Sequence, residues 1–184
     1  MSPNKDIRSR KVVFIPFCLI CQGVQAQGIV KEYAAVIKPV VQELLKHDVN
    51  LIQMPCPESQ FGGYEIGLDR VPKGRTSYDT PEFRQLCEKL GSQVTQMIQA
   101  LRAKNFEIIA ILGVEYSPSC AINYQFEGRT VHQKGLFTEV LQKQLEQEGI
   151  SIPFVGVNRR GTGPAIEELR QLLNTQLTLD LSFE

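Results

Sequence analysis

Short apolar, β-rich runs alternate with amphipathic helical segments along this chain, and this alternation limits the possible folds more than any other feature. The runs predict strands at residues 11–17, 49–54, 107–114 and 152–157. Helical spacing of apolar residues predicts helices at 29–47, 81–101, 136–145 and 164–173. Strands that alternate with helices require right-handed crossovers. We therefore expect one α/β domain over residues 1–184: a doubly wound, Rossmann-like or flavodoxin-like, mostly parallel sheet with helices on both faces.

Three details refine this expectation. Pro39 falls inside the first predicted helix and should kink it or restart it. Thr80, followed by proline and glutamate, is a strong helix start because its hydroxyl can cap free amides. The segment 59–79 between them is rich in Gly, Arg and Tyr. Compact domains rarely carry a connection of about twenty residues unless it is functional, so we expect this segment to cover a site.

Three of the five cysteines directly follow predicted strands: Cys18, Cys56 and Cys120. Parallel strands end at one edge of a sheet, and sites in such sheets lie at that edge. The three side chains should therefore converge there. Thiolates are the ligands that soft metals and iron–sulfur clusters prefer, so the pattern predicts a metal or cluster site.

Composition and charge limit the cellular locations and the classes of binding partner that we expect for this protein. Lys plus Arg equals Asp plus Glu, for a net charge of zero, which argues against binding to duplex nucleic acid or to anionic lipid. No apolar run approaches the roughly 20 residues that span a bilayer, and the first residues lack the hydrophobic stretch of a signal peptide. We expect a cytoplasmic protein with reduced cysteines and a small-molecule partner.

Three short motifs resemble the thiouracil desulfidase family: CLI at 18–20, CPE at 56–58 with two glycines close behind, and SPSC at 117–120. Their order and approximate spacing also fit the family. GLDR at 67–70 and YDTP at 78–81 are similar to a desulfidase-related subgroup. The resemblance covers roughly residues 11–124, and it departs from the family pattern at the residue after the last cysteine, which is alanine where the family has glycine.

The resemblance implies an enzyme with a [4Fe–4S] cluster and a small thiolated substrate. Family members hold the cluster through three cysteines, which would be Cys18, Cys56 and Cys120 here, and leave one iron without a protein ligand. That iron takes sulfur from the substrate without net redox change. Glu58 would then be the nearest carboxylate for general acid–base catalysis, and Ser117 matches the family's serine, which could orient substrate or water. In the simpler alternatives, Glu58 is an acid exposed on a loop, and Ser117 is part of a turn.

Four other positions could contact a substrate. Arg70 could bind an anionic or carbonyl group through two hydrogen bonds, and Tyr78 could stack on a heteroaromatic base, as could Tyr64. Loop packing explains the tyrosines equally well. Arg75 could bind an anionic or carbonyl group in the same way, but exposure to solvent is the expected role, as for most loop arginines. The segment 158–163 could cradle an anion before the last helix, but it lacks the spacing and the lysine of a P-loop.

Alternative readings of the cysteines remain open. Cys21 could supply a fourth ligand and close the open iron, or complete a zinc site with the other three. Cys56 or Cys120 could act without a cluster as a nucleophile, with Glu58 as its base. A non-catalytic protein that senses or carries a cluster or sulfide would show the same pattern. Cys87 lies on the apolar face of a predicted helix and is expected to pack in the core.

Overall fold

Four parallel strands form the central sheet of this computed structural model, which describes residues 6–63 and 67–180. The strands in chain order are β1 (Lys11–Pro16), β2 (Asn50–Met54), β3 (Glu107–Val114), β4 (Tyr124–Phe126), β5 (Thr130–His132) and β6 (Phe154–Val157). The sheet order is β2-β1-β3-β6, and Phe14 of β1 pairs with Ile52 on one side and Ile111 on the other. All four predicted strands are confirmed, with ends shifted by no more than a few residues.

Helices cover both faces of this sheet. They are α1 (Phe17–Ile20), α2 (Lys38–Lys46), α3 (Pro57–Phe61), α4 (Arg75–Tyr78), α5 (Pro81–Arg102), α6 (Leu136–Gln147) and α7 (Gly163–Asp180). Side chains of β1 alternate between the faces: Val12 and Phe14 pack in the core beneath α5 and α6, and Val13 and Ile15 pack in the core beneath α2 and α7. The doubly wound α/β prediction is therefore confirmed.

The helix expected over 29–47 was wrong in its first half. α2 begins at Lys38, with Pro39 in its first turn, where a missing N–H costs nothing. Proline therefore starts this helix and does not kink it. The start of α5 is as predicted, because the Thr80 hydroxyl accepts a hydrogen bond from the backbone N–H of Phe83 at 3.3 Å.

The segment 59–79 is not a structureless loop. It contains the end of α3, a 3-10 turn at Gly67–Asp69 and the single-turn helix α4. The antiparallel hairpin of β4 and β5 was also unpredicted. These pieces have three to five residues each, too few to show a helical or strand period. Alternating apolar and polar residues at 177–184 are typical of a strand that could pair with the sheet or with another chain, but residues 177–180 lie in α7, and residues 181–184 lie outside the described part of the chain.

The order of the sheet places a topological switch point between β1 and β3. The chain leaves β1 to form β2 on one side and later returns to form β3 on the other side. A crevice opens at such a point, outside the carboxyl ends of the strands. Within the described residues, no helix combines the length and apolar content needed to cross a membrane.

An ion pair fastens α2 to α7 on the outer side of one face. Arg170 donates from Nε to Oε1 of Glu43 at 2.7 Å and from Nη2 to Oε2 at 3.0 Å. Glu43 is buried, with a side chain only 6% exposed, whereas the side chain of Arg170 is 47% exposed. The hydrogen bonds from Arg170 lower the pKa of Glu43 to about 2 from its usual 4.5.

We predict that Arg170→Met reduces the acid sensitivity of folding. A depressed carboxyl pKa adds stability above pH 4.5, and that stability is lost as pH falls toward 2. Because solvent around Arg170 weakens the pair, the loss should be on the order of 1–2 kcal/mol in the wild type and smaller in the variant. Urea unfolding at neutral pH and at pH near 3 measures it. Glu167→Gln, which alters an exposed neighbour 4.0 Å from Arg170, is the control. Equal acid losses in wild type and Arg170→Met would refute the assignment.

Candidate functional site

The three strand-following cysteines lie on one cavity at the switch point. Cys18 is in α1 directly after β1, Cys56 precedes α3 after β2, and Cys120 lies in the turn that follows β3. All three line a cavity of about 130 Å³, which Glu58 and Ser117 also line. A smaller space of about 10 Å³, walled mainly by apolar side chains, touches the same three cysteines. The predicted convergence of these residues is present in the fold.

Burial keeps the three thiols protonated in the absence of a cation. It raises the pKa of Cys56 to about 12, and it also raises the pKa values of Cys18 and Cys120. The neighbouring thiols add to the shift at Cys18, because their negative charges would repel each other. A bound metal reverses this balance, since coordination removes the thiol proton. Three thiols in this setting suit a cationic metal group.

The described side chains do not form a ready site for a single metal ion. Among the described residues, no three His, Cys, Asp or Glu side chains are grouped so that they could hold a metal ion. The zinc alternative therefore gains no support. A cluster takes one thiolate per iron, so its ligands need only line a common cavity. Cys21 is not among the described residues that line this cavity, and its sulfur lies beside Gly23.

Glu58 is held on the cavity wall by two serines. Ser119 donates to Oε1 of Glu58 at 2.6 Å, and Ser117 lies 3.0 Å from the same oxygen. Ser117 also supports the turn, because its hydroxyl accepts from the backbone N–H of Cys120 at 3.1 Å. The hydroxyl has one proton, which it can give either to Glu58 or to the Cys120 sulfur 3.5 Å away. A carboxylate, a hydroxyl and a thiol thus share one short network. Ser119 was missed as a site residue, although it lies within the SPSC motif.

Arg70 and Tyr78 are both buried on the same cavity. Nη1 of Arg70 lies 3.4 Å from Oε2 of Glu58, and Nη2 donates to the carbonyl of Val24 at 2.8 Å. Burial, reinforced by the charge of Glu58, raises the pKa of Tyr78 to about 12. The tyrosine hydroxyl is therefore a neutral donor at physiological pH. Their roles toward a substrate stay predictions; their position on the cavity is observed.

Arg75 was expected in solvent, and this was wrong. Only 8% of the residue is exposed, and its Nη2 contacts both oxygens of Glu139 at 2.8 Å. Its Nε donates to the carbonyl of Lys134. The side chain joins the segment after α3 to the start of α6 and so has a structural role. Tyr64, the other aromatic candidate, lies outside the described residues. Cys87 is fully buried in the core, as predicted.

Arg159 is a cavity residue that the sequence did not single out. It follows β6, the strand beside β3, and lines the cavity with the three cysteines. In the sequence, Arg159 was noted only as part of the segment 158–163, which was predicted to bind an anion through its backbone amides. The structure brings its side chain to the site, where burial lowers the pKa of the guanidinium.

Comparisons with known proteins give one distant relative. The chain is 29% identical over 147 residues to the uncharacterized protein MJ0003 of Methanocaldococcus jannaschii, an alignment that covers 80% of this chain and 88% of the relative. No protein-family model and no solved structure matches the chain.

We predict that Gly135→Ala disturbs the turn that carries Cys120. A Cβ at Gly135 would overlap the backbone carbonyl of Ser119 and lie 2.6 Å from the backbone nitrogen of Cys120. Neither backbone atom can move without shifting the turn, so the variant should lose on the order of 2 kcal/mol in its free energy of unfolding. Gly161→Ala is the control, because a Cβ there meets nothing within 4 Å. Denaturant titration that found the two variants equally stable would contradict the close approach.

Proposed function

We propose that this chain is an iron–sulfur-dependent desulfidase that removes sulfur from a small thiolated compound by hydrolysis. The observation that carries the proposal is the meeting of three thiols, from the ends of β1, β2 and β3, on one cavity that also holds Glu58. The resemblance of the three motifs to the thiouracil desulfidase family supplies the reaction. Cys18, Cys56 and Cys120 would hold a [4Fe–4S] cluster.

The net reaction needs water and no electrons. A thiocarbonyl C=S and water give a carbonyl C=O and hydrogen sulfide: the water oxygen bonds to carbon, the C–S bond breaks, and both water protons end on sulfur. When bound, the cluster supplies Lewis acidity at the iron that lacks a protein ligand. The side chains that line the cavity transfer the protons, orient the water and bind the substrate.

Glu58 is the residue placed to move the protons. Its Oε1 accepts from the serines and its Oε2 faces Arg70, so the carboxylate has a fixed orientation beside the thiols. In this proposal it takes a proton from the attacking water and returns it to the departing sulfur. Ser117, whose hydroxyl lies between Glu58 and Cys120, orients the water. Arg70 and Tyr78 bind the rest of the substrate from the cavity wall.

The structure favours this function over a thiol nucleophile. A nucleophilic cysteine needs a lowered pKa, whereas burial raises the pKa of Cys56 to about 12 and also raises that of Cys120. The thiolate population at neutral pH would be very small. A cluster or sulfide carrier remains the second candidate, since it would use the same three thiols.

We also infer the setting of this function. Every cysteine is unpaired in the structure, which suits the reducing cytoplasm where clusters are assembled and thiols persist. The small cavity and the zero net charge fit a small thiolated substrate and not duplex nucleic acid.

We predict that iron binding depends on three cysteines. After anaerobic reconstitution, Cys18→Ser, Cys56→Ser and Cys120→Ser should each lose most of their iron and acid-labile sulfide, together with the cluster absorption. Cys21→Ser is the matched control and should keep both, because Cys21 lies off the cavity. A wild type without cluster absorption after reconstitution would refute the cluster proposal. An equal loss of iron and acid-labile sulfide in Cys21→Ser would indicate a four-cysteine site instead.

We predict that Glu58→Gln separates catalysis from cluster binding. Glutamine keeps the shape of the side chain but cannot accept a proton, so kcat for sulfide release from thiouracil-type substrates should fall by about 10²–10⁴-fold. Iron content should stay at the wild-type level. A variant with full iron content and unchanged kcat would remove Glu58 from the mechanism. A wild type with a stable cluster and no sulfide release from any thiolated compound would support the carrier.

A further inference from the structure

Arg159 stands between two cavities. It lines the cysteine cavity, and it also lines an adjacent larger cavity of about 560 Å³. Ile29 and Tyr116 are the other residues common to both. A molecule that occupies the cysteine cavity, or that enters it from the larger one, therefore meets this guanidinium.

One nitrogen of this side chain has no protein partner. Nη1 of Arg159 is buried, and no residue within 6–63 or 67–180 accepts a hydrogen bond from it. Buried donors that lack a partner are rare because they lose water without compensation. A guanidinium stays charged in proteins, so this half-buried side chain also carries a positive charge. An anionic or strongly polar acceptor would stabilise Nη1, and no described residue supplies one.

The other two arginines near the site have carbonyl or carboxylate partners, although Nε of Arg70 is also buried without a partner among the described residues. Arg70 donates to the carbonyl of Val24 and faces Glu58, and Arg75 is bound to Glu139. Cys18, Glu58 and Cys120 line the same cavity as Arg159. Arg159 is therefore placed beside the thiols where, under the proposed function, the substrate's sulfur would leave.

We propose that Arg159 is a catalytic residue of this site, whose free Nη1–H binds the negative charge that develops on the substrate's sulfur as the C–S bond breaks. This inference rests on the proposed desulfidase function. As the water oxygen bonds to carbon, the π pair of the C=S bond moves to sulfur. When the remaining C–S bond breaks, its pair stays on sulfur, the second O–H pair of the water closes the carbonyl, and both water protons, transferred through Glu58, end on sulfur. A donor that is already oriented and desolvated stabilises such charge more in the transition state than in the ground state.

The test compares Arg159→Met and Arg159→Ala with Arg160→Met. Arg160 is the exposed neighbour, which lines the larger cavity only, so its variant controls for loss of a nearby positive charge. In Arg159→Met, kcat for sulfide release should fall by about 10²–10³-fold with KM changed by less than about threefold. Added guanidinium at millimolar concentration should restore at least tenfold activity to Arg159→Ala, and urea at the same concentration should not.

A second readout does not need turnover. Anaerobic calorimetry with hydrosulfide, the anionic form of the product, should show binding about tenfold weaker in Arg159→Met than in wild type and in Arg160→Met. Iron and sulfide contents of all three proteins should be equal.

Three results would overturn the assignment. They are a rise in KM at constant kcat, a loss of iron in Arg159→Met, and hydrosulfide binding that is the same in wild type and variant. If the wild type releases no sulfide at all, the proposed function fails, and the hydrosulfide titration still decides whether Arg159 binds anionic sulfur.

Discussion

Pairing of β1 with a parallel strand on each side is the constraint on which the site depends. β2 pairs with β1 without interruption, and β3 pairs with β1 with one irregularity between Val12 and Val13; all three strands are parallel and end at the same edge of the sheet. Each strand is followed within a few residues by a cysteine: Cys18, Cys56 and Cys120. A slip of one residue in either pairing would turn the following segment to the other face and separate the thiols. The two apolar cores on either face hold that register.

Most polar side chains at this edge of the sheet form hydrogen bonds or ion pairs with one another, which holds the site in one arrangement. Glu58 would be costly to bury alone, but two serine hydroxyls and Arg70 surround its carboxylate. Arg75 joins the segment after α3 to Glu139 of α6. The connection that closes the cavity is therefore fastened at several points. Two arginine nitrogens of the site, Nη1 of Arg159 and Nε of Arg70, are buried without a partner in the described part of the chain.

The accuracy of the sequence-based predictions follows the length of each element. The four strands of the sheet are apolar, β-rich runs, and helix α5 has a clear helical period and a clear cap at Thr80; the positions of these elements were predicted. α3, α4 and the β4–β5 hairpin are too short for any period. For Pro39 both a kink and a restart of the helix were predicted, because the position of a residue inside a helix cannot be known before the helix start is known; the structure shows a helix start there. Arg75 was misread because nothing near it in sequence indicates that Glu139 will lie beside it.

Local pattern was enough to establish the α/β class, the strand ends and the three cysteines that follow them, since each depends on residues adjacent in sequence. Tertiary structure alone decided which polar groups meet at those ends. Glu58 and the two serines are 59 and 61 residues apart, and Arg159 reaches them only because β6 lies next to β3. Contacts of this kind depend on chain topology and on the burial of charge. Neither produces a periodic pattern in the amino-acid sequence from which the contacts could be predicted.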